Sequence, residues 1–320
     1  MHALISPEDA VRLKRAGYVI VGGHSAVKVC HWTKLSITGK GFCYKQKFYG
    51  IPSHRCLQFT PALPFCNHRC LFCWRNTDIT IPRWSGNVDE PNDLLEKAVQ
   101  AQRKLLNGFP GNPETELKKW REAQNPCQAA VSLAGEPTLY PRLPDLLREL
   151  NKKGMTSFLV SNGINPSMLE KLADEKALPT QLYVSLCSYN KRIYSRVHRP
   201  LVKGGWERLS ESLELLDSIK TRRTLRVTLV KGLNFEHPEE YAELIERSGV
   251  DYVEVKAYMH VGSSIRRLAE EVMPSHEEIN AFATELAGEC GYLVSDDHPV
   301  SRVVLLSKDK RAEKNRGIKR

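Results

Sequence analysis

No stretch of this 320-residue chain approaches the ~18 consecutive apolar residues that a membrane-spanning helix requires. The amino terminus, Met-His-Ala-Leu-Ile-Ser-Pro-Glu-Asp, lacks a basic start followed by an apolar run, so it does not read as a secretory signal. Internal repeats are absent, and nothing is of low complexity except a basic tail. These absences exclude a membrane span and a repeat array, and the expectation is a cytoplasmic protein. Hydrophobic residues make up 41% and charged residues 26%, ordinary values for a soluble chain long enough to bury a sizeable core.

Charge is less ordinary. The net charge of +10 favours a polyanionic partner, with nucleic acid as a plausible one. Part of the excess sits at the end, in Lys308, Lys310, Arg311, Lys314, Arg316, Lys319 and Arg320. Such a tail reads either as a solvated, disordered end or as an arm that binds phosphate.

Nine cysteines without a secretory signal point to metal ligands or buried thiols rather than a disulfide framework. Six of them (Cys30, Cys43, Cys56, Cys66, Cys70 and Cys73) fall between positions 30 and 73. Cys127, Cys187 and Cys290 stand alone and read as buried small hydrophobes.

From Leu57 onward, short apolar runs alternate with amphipathic segments. The expected strands are 57–60, 129–133, 157–161, 182–187, 225–230 and 252–256, each bounded by turn-forming residues. Leu143, Leu146, Leu147 and Leu150 mark one intervening helix; Met168, Leu169 and Leu172 mark another; Trp206, Leu209, Leu213 and Leu216 mark a third. Six strand–helix units predict an α/β fold with a parallel sheet, an incomplete (β/α)6 barrel. Residues 1–56 read as a loop-rich extension, 57–307 as the barrel and 308–320 as the basic tail. Residues 75–127 form a long insertion with a helix near 92–106, a loop at 108–113 and a second short helix.

Cys66-Asn67-His68-Arg69-Cys70-Leu71-Phe72-Cys73 is a C-x3-C-x2-C motif directly after the first of the six strands. Three thiolates this close can hold three irons of a cubic cluster and leave the fourth open to a small molecule. Zinc is the alternative, with His68 as a fourth ligand at an unusual spacing. The motif, with Phe72 before its last cysteine, resembles the radical SAM superfamily signature. That resemblance implies a 4Fe–4S cluster that binds and cleaves S-adenosyl-L-methionine to a 5′-deoxyadenosyl radical. Gly135-Glu136-Pro137 resembles the superfamily motif that positions the methionine amino group, and Ser161 and Asn162 match polar positions approaching the nucleoside.

Cys30, Cys43 and Cys56 are separated by twelve residues in each interval, a spacing of no common zinc module. They read as ligands of a second cluster or as three buried structural thiols. The spacing, followed by the Cys66 loop and Trp74-Arg75, resembles the tRNA 4-demethylwyosine synthase family of wyosine biosynthesis. Segments 42–50, 108–113, 199–200, 253–259 and 301–306 extend the likeness over nearly the whole chain, and it is to the shorter archaeal type. The resemblance implies a lyase-type enzyme with two 4Fe–4S clusters that acts as a monomer on the anticodon loop of tRNA-Phe. It implies condensation of pyruvate with the 1-methylguanosine immediately 3′ of the anticodon, giving the tricyclic base 4-demethylwyosine. Electrons would come from an external donor.

Within that reading, Lys45, two residues after Cys43, is the candidate for a Schiff base with pyruvate, with Lys47 as the alternative and phosphate pairing as the plain role of both. Chelation of pyruvate by the open iron of the second cluster, without a Schiff base, stays open beside it. Trp74, Arg75 and Trp84 are candidates to stack against the unstacked base, unless the tryptophans only pack over the cluster. Lys256 is expected to face the site. Two further readings stay open here: another radical SAM RNA-modifying enzyme, and a non-catalytic metal-stabilised RNA-binding protein.

Overall fold

The computed structural model describes residues 4–318. The chain opens with α1 (Pro7–Arg15), capped by the Ser6 hydroxyl, which accepts from the Asp9 amide. Two three-residue strands, β1 (Val19–Val21) and β2 (Ser25–Val27), precede the short helices α2 (His31–Ile37) and α3 (Tyr44–Tyr49). Gly50, at φ 74°, ends α3 in the left-handed conformation and returns its amide to the Gln46 carbonyl.

Six strands then pair in parallel and in chain order: β3 (Cys56–Thr60), β4 (Gln128–Val131), β5 (Thr156–Ser161), β6 (Gln181–Ser185), β7 (Arg222–Leu229) and β8 (Tyr252–Ala257). Between β3 and β4 run α4 (Pro91–Leu106) and α5 (Leu117–Ala123); α6 (Leu143–Lys152) and α7 (Pro166–Asp174) connect the next strands. The next crossover carries α8 (Lys191–His198) and α9 (Gly205–Leu216), and α10 (Pro238–Ser248) leads into β8. Beyond it lie α11 (His276–Cys290), β9 (Leu293–His298), β10 (Val303–Ser307) and α12 (Lys310–Lys314). β10 pairs antiparallel with both β8 and β9, and the β1–β2 hairpin pairs antiparallel with β3, giving one ten-stranded sheet. No described helix is long and apolar enough to cross a membrane.

All six expected strands are present, with ends shifted by a few residues. Residues 4–56 differ from the loop-rich expectation, since β1 and β2 extend the same sheet, with α1 before them and α2 and α3 after. The reason is length: a three-residue strand has no readable alternation. The tail differs too. Through Ile318 it is docked, with the Ile318 amide on the Tyr49 carbonyl (2.9 Å), Tyr252 Oη on the Ala312 carbonyl (2.8 Å) and Arg222 on the Asn315 carbonyl (2.8 Å). Lys319 and Arg320 lie outside the described residues.

Strand alternation separates two faces. Leu57, Leu159, Leu182, Val184, Leu225, Val227, Val253 and Val255 join the helices in the main core. The alternate positions Phe158, Tyr183 and Tyr252 meet Tyr44, Phe48 and Tyr49 of α3 in a second cluster. By the same alternation, Cys56, Arg226, Glu254 and Lys256 lie on the face that holds α3.

Glu254, fully buried, holds α3 there. One carboxylate oxygen accepts from Tyr49 (2.9 Å) and Tyr183 (3.0 Å). The other accepts from Tyr44 (2.9 Å) and from Nε and Nη2 of Arg226 (3.1 and 3.0 Å). Burial alone would raise this carboxyl, but Arg226 and then Lys45 outweigh it and hold Glu254 below its ordinary value. A buried charge with every lone pair met is tolerated; one with a partner removed is not.

Glu254→Gln is expected to cost about 3–5 kcal/mol in denaturant unfolding at neutral pH, because it strands Arg226. Because the carboxyl is depressed when folded, this stabilisation is present above the unfolded Glu value of about 4.3 and is lost as pH falls through the lower folded value. The gap between wild type and variant should therefore narrow only below that range.

Candidate active site

The loop after β3 carries Cys66, Cys70 and Cys73. Neighbouring backbone holds it: the Cys66 amide donates to Ile81 (3.0 Å), Arg69 to His198 (3.1 Å), and Leu71 to Val197 (2.9 Å), while Leu201 donates to Asn67 (2.9 Å). Arg267 donates Nε to the Leu71 carbonyl (3.1 Å) and Nη2 to that of Cys73. Arg75, only 7% exposed, donates to Thr80 Oγ1 (2.9 Å) and the His68 carbonyl (3.2 Å). Its guanidinium is thus committed inside the loop and is not the stacking plane expected from sequence. Burial opposes that charge, but Cys66, Cys73 and Cys70 hold Arg75 above its ordinary value. One cation beside three convergent sulfurs is the surrounding a cluster-binding thiolate set needs.

Two buried histidines flank Cys70. His198 Nδ1 lies 3.4 Å from Cys70 Sγ, and His68 Nε2 lies 2.6 Å from Tyr194 Oη. The rings pack 5.0 Å apart, and burial pushes His198 down to about 4 and His68 well below its ordinary value. His68 Nδ1 and His198 Nε2 have no partner. The sequence reading missed His198, which reaches the loop from the end of α8.

Gly135-Glu136-Pro137 follows β4. Gly135 has φ 70°, and a Cβ there would collide with the Ala62 carbonyl, so only glycine lets this turn pass beneath the cysteine loop. Glu136, 2% exposed, accepts from Ser161 Oγ (2.9 Å) and Thr138 Oγ1 (2.7 Å) on one oxygen, and from the Asn162 amide (2.7 Å) on the other. Its own amide donates to Phe65 (2.7 Å), and Asn162 Nδ2 donates to Asn67 Oδ1 (2.6 Å). The structure thereby brings Gly135, Glu136, Pro137, Ser161 and Asn162 together with the loop. Glu136 acts as a brace across two strand ends.

The second trio converges from three elements. Cys30 precedes α2, Cys43 precedes α3 and Cys56 begins β3. Burial, then the neighbouring Cys30 thiol, pushes Cys43 up to about 12; burial, then Cys30 and Cys43, raises Cys56 as well. Deprotonating such thiols needs a positive partner, as metal binding provides. All nine cysteines are free, so no disulfide competes for either trio. Cys187 and Cys290 are buried as expected, whereas Cys127 is half-buried and close enough for Cys56 to feel its charge.

Lys45 is 8% exposed, with Nζ 4.6 Å from the Phe158 ring centroid and 4.5 Å from that of Tyr183. Burial, then Arg226, lowers it to about 8. Lys47 is turned away and bonded to Asp296 (2.9 Å) and the Asp297 carbonyl (2.6 Å). Lys256 lies on the face of Lys45, is likewise lowered to about 8 by burial and then Arg226, and donates to the Ser301 carbonyl. Trp84 packs on Phe65 with centroids 4.3 Å apart, a core contact. Trp74 stacks on Tyr18 (6.0 Å) and lines an open cavity.

Comparison with known proteins places this geometry. The radical SAM superfamily profile matches residues 60–245, and the profile for wyosine base formation matches residues 247–308. The chain is 48% identical to the S-adenosyl-L-methionine-dependent tRNA 4-demethylwyosine synthase of Pyrococcus horikoshii, over 95% of this chain and 90% of the relative. It is 39% identical to the Methanocaldococcus jannaschii enzyme of the same name, over 95% and 97%. A solved structure of TYW1 with a lysine–pyruvate adduct bound superposes with a TM-score of 0.86 at 39% identity, covering 98% of both chains. That of archaeal TYW1 gives 0.80 at 34% identity, covering 98% of this chain and all of the other. The chain belongs to the radical SAM superfamily and, within it, to the tRNA 4-demethylwyosine synthase family.

Proposed function

We propose that the protein condenses pyruvate with 1-methylguanosine in the anticodon loop of tRNA-Phe, as a lyase-type enzyme that uses Lys45 as its covalent handle. The observation that carries this reading is the placement of Lys45. Its amine sits against two aromatic rings on a helix fixed by Glu254, two residues from one cysteine of the upstream trio. Low dielectric favours the neutral amine, which is the nucleophile. Attack on the pyruvate ketone forms a C=N bond and releases water, and the resulting imine holds the carbonyl carbon in place. The lysine–pyruvate adduct of the TYW1 neighbour supports this assignment.

Cys66, Cys70 and Cys73 would hold a 4Fe–4S cluster that supplies, from an external donor, the electron that cleaves S-adenosyl-L-methionine to the radical activating the N-methyl group. Gly135, Glu136, Pro137, Ser161 and Asn162 form the cradle for that cofactor, with the Glu136 carboxylate fixing the shape of their backbone. Cys30, Cys43 and Cys56 would hold a second 4Fe–4S cluster beside Lys45. With one hydrogen atom of the methyl group given up to the adenosyl radical, that carbon would bond to the pyruvate carbonyl carbon. The bond to the carboxylate would break, releasing carbon dioxide and returning one electron to the redox chain, and the exocyclic guanine amine would close the ring by displacing the Lys45 amine. The reading includes a six-unit partial barrel and a monomer working in the cytoplasm.

His68, Cys70 and His198, whose donor atoms lie within 4.8 Å of one another, favour a second reading: a zinc-stabilised RNA-binding protein. Metal and sulfide analysis of anaerobically purified protein separates the two. About eight irons with matching sulfide are expected, falling to about four when Cys30, Cys43 and Cys56 are replaced by Ala. Zinc without sulfide would sink the enzyme reading.

Lys45→Arg should lower formation of the tricyclic base by ~100-fold or more while iron content is kept. Borohydride with labelled pyruvate should mark the Lys45 peptide in wild type alone. Undiminished product from Lys45→Arg would remove the covalent role.

A further inference from the structure

Between the cysteine loop and the segment after β8 lies a cleft of about 600 Å³, into which Arg69, Arg199, Arg266 and Arg267 converge. Arg267 is already used, bonded to the loop carbonyls of Leu71 and Cys73. The other three are exposed, and among the described residues none has a carboxylate within 4.0 Å. Some arginines elsewhere, Arg142, Arg148, Arg223 and Arg316, lie against an acidic side chain, while others such as Arg83, Arg208 and Arg247 are exposed without one among the described residues. What distinguishes Arg69, Arg199 and Arg266 is that they line one cleft. Asp78 is the one acidic residue lining the cleft.

Like charges gathered without counterions are not what a surface adopts for stability. Here the backbone imposes the gathering. The Arg69 amide donates to both the His198 and Arg199 carbonyls (3.1 and 3.2 Å), tying two of the three together. Arg199 itself is held at φ 47°, a left-handed conformation that costs a bulky residue energy. Such a preformed cluster suits phosphate, whose oxygens match the guanidinium fork.

The shape of the cavity argues for a polymer over a free anion. A second cavity, of about 530 Å³, shares Asn76, Asp78, Ser263 and Arg266 with the first and continues to Trp74 and Lys28. The joined groove is far larger than one phosphate, and it runs from guanidinium groups to the half-buried Trp74 indole, which stacks on Tyr18 with the Lys28 ammonium 4.9 Å from its ring centre. Cations along the strand followed by an aromatic platform are how single-stranded nucleic acid is held.

We propose that Arg69, Arg199 and Arg266 bind successive backbone phosphates of the RNA strand beside the target nucleotide, and that the groove leads this strand to Trp74. The proposal rests on the RNA-modifying reading above and adds where the strand is gripped. Arg69 belongs to the cysteine loop itself, so the grip would fix the RNA in register with the radical source.

The test is fluorescence anisotropy of a labelled anticodon stem-loop RNA binding to the cluster-loaded enzyme over a salt series. Arg69→Ala, Arg199→Ala and Arg266→Ala should each weaken binding about 5–10-fold. Each should reduce the slope of log K against log salt by about 0.7–0.9. Arg148→Ala, on α6, should leave affinity and slope unchanged, and iron content should match wild type in every variant. Wild-type affinity and slope in the triple variant would overturn the proposal. So would displacement of the RNA by millimolar inorganic phosphate at constant ionic strength, which would mark a small-anion site. If wild type itself failed to bind the stem-loop, the RNA-modifying reading would fall, a result distinct from binding that ignores the three arginines.

Discussion

The Glu254 carboxylate is the constraint on which the geometry of the Lys45 side depends. It is buried on the face of the sheet away from the main core, where an unpaired charge would be intolerable. Three tyrosine hydroxyls and one guanidinium satisfy it, and two of the tyrosines belong to α3. A six-residue helix has little stability of its own. Its position therefore comes from these hydrogen bonds and from Phe48 and Tyr49 packing against Phe158 and Tyr252. Cys43 and Lys45 inherit that position.

Glu136 plays the corresponding part at the other end of the argument. Its carboxylate is also buried, and groups from the ends of β4 and β5 donate to it, three to one oxygen and one to the other. Burial raises it while those hydrogen bonds oppose the rise. Both carboxylates look catalytic by burial alone. Their hydrogen-bond inventories separate them: Glu254 has both oxygens fully engaged, whereas Glu136 keeps an acceptor site on Oε2 beside the Asn162 amide.

Much of this was legible in the sequence, for physical reasons that differ between residues. The six parallel strands were visible because each carries apolar residues toward the main core and is bounded by turn-forming residues. The cysteine loop was visible because local ligand spacing is a local property. Most of what escaped depends on long-range pairing. β1 and β2 are three residues long, and β9, Leu-Val-Ser-Asp-Asp-His, has no strand signature and exists because β10 pairs with it. β10, Val-Val-Leu-Leu-Ser, is a buried apolar run, readable as a strand yet missing from the six expected. His198 reaches Cys70 across 128 residues, and nothing near either announces the contact. Glu254 was partly announced: a charge alternating with Val253 and Val255 in a strand, with Arg226 likewise between Leu225 and Val227, implies a polar second face.

The choice between Lys45 and Lys47 shows why the chemistry needed the fold. The two residues share a helix, and both follow Cys43 closely, so spacing gives no reason to prefer either. Two residues along a helix is a turn of about 200°, which sends them to opposite sides. The side fixed inward by Tyr44 and Phe48 takes Lys45 to Phe158 and Tyr183; the outward side takes Lys47 to Asp296 and Asp297. Donation to the Asp296 carboxylate raises Lys47 and keeps it a cation, while burial lowers Lys45 toward the neutral amine. One helical phase thus decides which lysine is buried against aromatic rings and which stays an ion-paired cation, and Glu254 sets that phase.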